Sequence, residues 1–167
     1  MWLALSGRFR ARWTKEIHGE WKRNLLKNRT DLTIEQLDRT SQLMDQAIPD
    51  ACVYDYEDLV NGLSLPDLDD RHVLAAAIRC NAGVIVTFNL KDFPDKYLAP
   101  FGIEAQHPDE FVENLFHLDS AAVVAAAQRQ RKQLKAPTLD IESFLNLLQR
   151  QGLTQSVQAL SGYRAML

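Results

Sequence analysis

The chain has 167 residues, 46% apolar and 25% charged, with 19 Lys and Arg against 22 Asp and Glu. That is the profile of a folded globular protein large enough for a real core, and seven Gly with six Pro exclude collagen-like and disordered classes. The longest apolar runs, 83–88 and 120–127, are far too short for a membrane span, and arginines interrupt the apolar start too early for a secretory signal.

The first predicted helix covers Trp13–Leu26, with Trp13, Ile17, Trp21 and Leu25 at steps of four and Thr14 as its cap. A second covers Thr33–Ile48 and ends at Pro49; Thr33 with Gln36 has the spacing of a capping box. Ala51–Tyr56, β-branched and aromatic, reads as a strand. Asp70–Cys80 reads as a helix with Val73, Leu74, Ala77 and Ile78 on one face, closed by Asn81-Ala82-Gly83, with Gly83 suited to the left-handed turn. Val84–Phe88 reads as a strand buried on both faces, Asn89–Pro94 as a loop, and Gly102–Ala105 as a further strand. Helices follow over Pro108–Phe116, Ser120–Leu134, Leu139–Gln151 and Thr154–Met166.

Alternation of strand and helix predicts a three-layer α/β fold with a small parallel sheet over residues 1–118, and an all-helical extension over 119–167. Phe144, Leu145, Leu147 and Leu148 make one extension helix so apolar that it must bury against the core, a second subunit or a partner.

The net charge of −3 conceals polarity along the chain. Arg8–Arg29 holds eight basic residues and two acidic ones, Glu16 and Glu20, whereas Asp31–Asp70 holds eleven acidic residues and only Arg39 as a base. Arg129, Arg131, Lys132 and Lys135 form a third, wholly basic stretch. Such patches suit a polyanion, but any one of them reads more readily as a solvated helix face or a helix C-terminus.

The chemistry concentrates in two segments. Asp67, Asp69 and Asp70 fall within four positions ahead of a helix, where one aspartate would suffice as a cap. Asn89 and Asp92 follow the end of an apolar strand, the edge where open α/β sheets bind ligands, although both residues also suit a simple turn. His18, His107 and His117 lack the spacing of a zinc site. Cys52 and Cys80 make neither a disulfide framework nor a zinc knuckle, so a reducing cytoplasm is the default. There is no Gly-rich phosphate loop and no Ser or Cys nucleophile motif.

Asp70-Arg71-His72-Val73-Leu74-Ala75-Ala76-Ala77, then Gly83, then Thr87-Phe88-Asn89-Leu90-Lys91-Asp92-Phe93, resembles the second half of a PIN domain. The helix carrying Glu16, Glu20, Trp21, Asn24 and Leu25 is similar to that family's earlier acidic helix. The family includes the VapC-type toxins of bacterial toxin–antitoxin pairs. The resemblance runs from about Gly7 to Glu113. It implies a ribonuclease dependent on Mg²⁺ or Mn²⁺, an RNA substrate, a cognate antitoxin and a homodimer.

Carried over by position, it implies Glu20, Asp70 and Asp92 as catalytic metal ligands, with Glu16, Asp69 and Asn89 as secondary candidates. Arg71 and Lys91 flank these acids and are the candidates for the RNA backbone, while His72 reads more readily as a surface or structural histidine than as a partner of the acids or a proton shuttle. The family's first strand and its aspartate have no counterpart here, since no acid precedes Glu16. A misassigned start, a truncation and a rearranged oligomer remain open explanations. So does a catalytically inactive module that binds RNA or an antitoxin.

Overall fold

Thr14 and Thr33 begin the two helices that the apolar spacing predicts. The structure, a computed structural model, describes residues 1–134 and 138–167, so Lys135 of the third basic stretch lies outside the described residues. The chain divides into two compact units, residues 10–85 with 89–105, and residues 1–9 with 86–88 and 106–167. In the former, the Thr14 hydroxyl accepts the Ile17 N–H at 3.0 Å and starts α1 (Lys15–Asn28). Thr33 and Gln36 exchange both bonds of a capping box before α2 (Ile34–Ala47), satisfying donors that have no partner inside the helix. Lys22 Nζ lies 2.8 Å from Asp38 Oδ1 and 3.2 Å from Ser41 Oγ. That cation of the basic stretch therefore joins α1 to α2.

The strand expected over Ala51–Tyr56 reduces to one parallel bridge between Trp13 and Cys52. Trp13 donates to Ala51 O at 3.0 Å and accepts from Val53 N–H at 2.8 Å. Pairing stops there for two reasons. The cap of α1 follows Trp13 at once, and Asp55, at φ 57°, leaves the extended region. A short helix, α3 (Glu57–Val60), comes next, and Val53 and Tyr56 pack with Ala75 and Ala76 of α4 (Arg71–Arg79).

Asn81, at φ 52°, rather than the expected Gly83, is the left-handed residue that closes α4. Ala82 N–H reaches Ala77 O at 2.9 Å and Asn81 N–H reaches Ile78 O at 3.2 Å, the paired bonds of a Schellman closure. Strand β1 (Val84–Val86), a 3-10 turn (Leu90–Asp92), α5 (Asp95–Leu98) and strand β2 (Glu104–Gln106) follow. Gly83 O accepts from Glu104 N–H and Gln106 O from Thr87 N–H, both at 3.0 Å, so the pair is parallel and the fold is mixed α/β. Within β1 only Ile85 is buried, while Val86 and Phe88 are exposed. A two-stranded sheet is too small to cover both faces, which corrects the expectation of a doubly buried strand.

The other unit contains α6 (Pro108–Leu118), α7 (Ser120–Gln133), α8 (Ile141–Arg150) and α9 (Thr154–Ser161). Leu115, Val123, Val124, Phe144, Leu145, Leu148, Val157 and Leu160 form its core, with Phe144 fully buried. The apolar face of α8 is thus covered by its own unit, which answers the question left by the sequence. Arg131 donates to Leu139 O at 3.0 Å and to Leu167 O at 2.8 Å. One cation of the third basic stretch therefore ties this unit together. The last predicted helix stops at Ser161, and residues 164–166 form a 3-10 turn.

Candidate functional site

Three apolar side chains bring the acids together. Leu65, Leu74 and Phe93 belong to one buried cluster with Ile85, Leu98 and Ile103. Leu65 lies two positions before Asp67, Leu74 four after Asp70, and Phe93 one after Asp92. Burying those neighbours draws two segments distant in sequence onto one surface. Carboxylate oxygens of Asp67, Asp70 and Asp92 all come within 4.8 Å of one another, Asp67 exposed and the other two half-buried.

Asp70 occupies the N-cap position of α4, yet its side chain makes no capping hydrogen bond. Capping therefore does not account for this carboxylate. Burial pushes its pKa above the ordinary value of 3.8, and the charges of Asp67, Asp92 and Glu20 push the same way, against His72. Asp67 stands outside the candidates named from sequence, although it is the first of the three clustered aspartates. Its Oδ1 accepts the Asp69 N–H at 2.9 Å, an Asx turn that the Asp-Leu-Asp spacing permits.

The remaining candidates are placed as follows. Glu20 is outside the trio, with Oε1 3.0 Å from Nε2 of the buried His72. Glu16 Oε2 accepts from the Tyr56 hydroxyl at 3.3 Å and lies 3.6 Å from His72 Nδ1. Asn89 donates its side-chain N–H to Asp92 Oδ2. Asp69 joins the turn through its backbone, and its carboxylate is not one of the trio. Arg71 donates from Nε to Leu68 O at 2.8 Å, and Lys91 is exposed in the 3-10 turn beside Asp92. The sequence thus names two of the three clustered acids, and the histidine that it reads as surface or structural is buried, at 3% exposure.

Close carboxylates repel unless a positive charge intervenes. The donors here are all carboxylate oxygens, the ligand type of hard cations such as Mg²⁺ and Mn²⁺ rather than of zinc or copper. The donor set fits a hard divalent ion.

Residues 1–91 match the model of a family described as PIN domain, and residues 108–162 match that of the VapC50 C-terminal domain. A protein of Mycobacterium tuberculosis described as "Putative ribonuclease VapC50" is 47% identical over 75 residues, 45% of this chain and 44% of that protein. The match spans less than half of the relative's length. No solved structure matches.

Proposed function

This chain belongs to the PIN-domain family, and on that premise we propose that it is an endoribonuclease dependent on Mg²⁺ or Mn²⁺. In this reading it hydrolyses RNA phosphodiester bonds as the toxin of a toxin–antitoxin pair. The observation that carries the proposal is the convergence of Asp67, Asp70 and Asp92 within 4.8 Å. The ribonuclease description of the VapC50 relative supports the choice of RNA.

Asp67, Asp70 and Asp92 would hold the ion, and Glu20, whose charge acts on Asp70, would reach it directly or through water. An ion held there would supply positive charge to the phosphoryl oxygens and acidify a water. Asn89 keeps one oxygen of Asp92 oriented by donating to it. Arg71 and Lys91 set positive charge beside the acids, where an RNA phosphate would otherwise be repelled. An antitoxin, a second copy of the chain and a cytoplasmic location belong to the same proposal. Among the described residues no helix is long and apolar enough to cross a membrane.

The test is cleavage of a structured RNA with added Mg²⁺ or Mn²⁺ and with EDTA. Cleavage is expected only with the metals, and Asp70→Asn and Asp92→Asn are each expected to lower it by about 100-fold. RNA retained uncut under every metal condition would favour the binding-module reading instead.

A further inference from the structure

His72 is the second residue of α4 and only 3% exposed. A polar ring so deep in a protein ordinarily satisfies both nitrogens. This one satisfies a single nitrogen. Nε2 lies 3.0 Å from Glu20 Oε1, and a carboxylate oxygen accepts, so Nε2 carries a hydrogen and donates it. Nδ1 is the one buried side-chain polar atom without a hydrogen-bond partner among the described residues. It sits 3.6 Å from Glu16 Oε2, beyond hydrogen-bonding distance, and that oxygen takes the Tyr56 hydroxyl instead.

Glu16 and Glu20 are one helical step apart on α1, so both carboxylates are offered to the same ring. The ring bonds Glu20, the glutamate whose charge acts on Asp70, and leaves its other nitrogen unsatisfied. A histidine present merely to fill the core would gain nothing from that arrangement. Glu20 has a long side chain that is 32% exposed, and the charge of Asp70 repels it. A fixed N–H on its Oε1 opposes that repulsion and restricts its rotamers.

We infer that His72 is a positioning residue that holds the Glu20 carboxylate beside the Asp67–Asp70–Asp92 group through its Nε2–H. The inference rests on the metal-dependent nuclease reading and assigns His72 no contact with RNA or ion. Partners that orient metal-binding side chains are typically worth 10- to 100-fold in affinity or activity.

Two amide replacements separate the ring's two nitrogens. In His72→Gln the amide nitrogen falls near the position of Nε2 and still reaches Glu20; in His72→Asn it falls near Nδ1 and faces Glu16. The full-length chain is titrated with Mn²⁺ alone, following the free-ion electron paramagnetic resonance signal, and RNA cleavage is split into kcat and KM. H72N is expected to weaken Mn²⁺ binding by about 10- to 100-fold and to lower kcat at unchanged KM, with H72Q rescuing both to within about threefold. H72N in an E20Q background is expected to add nothing further.

Equal losses in H72Q and H72N, or additive losses with E20Q, would overturn the inference while leaving the nuclease reading intact. A wild-type chain that neither binds Mn²⁺ nor cuts RNA would overturn the reading and the inference together. Nitrogen-15 spectra of the wild-type ring keep the test independent of whether H72N folds. They should show a hydrogen on Nε2 that exchanges slowly, and faster in E20Q; a hydrogen on Nδ1 alone would overturn the inference.

Discussion

Trp21 determines the tautomer of His18. An indole N–H can only donate, so His18 Nδ1, 2.9 Å away, must accept, and the ring hydrogen lies on Nε2. That hydrogen points to Asp45 Oδ1 at 3.1 Å, and the same oxygen accepts the indole N–H of Trp13 at 2.7 Å. One carboxylate oxygen on α2 thereby satisfies two buried donors, Trp13 at the entrance to α1 and His18 within it.

Asp45→Ala leaves both donors without their acceptor. The expected loss is about 2–4 kcal/mol, since each buried donor left unpaired costs about 1–3 kcal/mol. For a chain of this length each kcal/mol lowers Tm by about 2–4 °C. Asp45→Asn retains an acceptor oxygen and should lose roughly half as much. Thermal melts of the two variants check this; equal melting points would mean that water replaces the carboxylate.

Asp109, in α6, performs the capping of α9. Its Oδ2 accepts the Gln155 N–H at 2.8 Å, and its Oδ1 accepts the Ser156 N–H at 2.8 Å and hydroxyl at 2.7 Å. Leu153, the residue before α9, makes no side-chain cap. Burial alone would raise the Asp109 pKa, but the bonds from Ser156 and Gln155 outweigh it and hold it below 3.8. A depressed native value stabilises the fold above the unfolded pKa and is lost as pH falls through the native one. Stability of this group is therefore complete at neutral pH and declines below about pH 4. Asp109→Ala is expected to cost about 2–3 kcal/mol at pH 7, with the difference from wild type narrowing in melts toward pH 2.

Helix starts are legible in this sequence because capping is local: Thr14, Thr33 and Gln36 each act within three residues. Ala51–Tyr56 is less legible, since β-branched residues favour extended backbone without stating how much partner strand exists. The acidic site is half legible. Density of acids marks Asp70, but an aspartate before a helix looks the same whether it caps or not. The meeting of Asp67 with Asp92 depends on Leu65 and Phe93 entering one core, a long-range event with no local pattern. The bond from His72 to Glu20 spans 52 positions, and nothing near either residue announces it.

Asp70→Asn should separate stability from metal binding. Burial, then Asp67, Asp92 and Glu20, raise the native pKa of Asp70 above 3.8. For an acid whose native pKa is raised, the fold gains stability as pH falls through the native value, so ionised Asp70 destabilises the fold at neutral pH. Removing the charge while keeping the volume should raise Tm in EDTA at pH 7, and the gain should fade as pH falls below about 4. Mn²⁺ at 100 times its dissociation constant should stabilise the wild type by about 2.7 kcal/mol and leave the variant nearly unchanged. A variant that melts lower than wild type in EDTA would show that the Asp70 charge is already compensated within the protein.

Asn89→Asp replaces a donor with a fourth carboxylate. Asn89 presently donates to Asp92 Oδ2, so the change removes a hydrogen bond and adds repulsion at the same point. Screening by solvent limits the repulsion at this exposed position to about 1 kcal/mol. In EDTA the variant should therefore melt about 2–4 °C below wild type. A divalent ion reverses the sign, because the added charge that repels Asp92 attracts the cation. The interval between melting points with EDTA and with Mn²⁺ should widen, and Mn²⁺ should bind several-fold more tightly by titration. A narrowed interval would mean that the amide's hold on Asp92 matters more to the ion than the extra charge does.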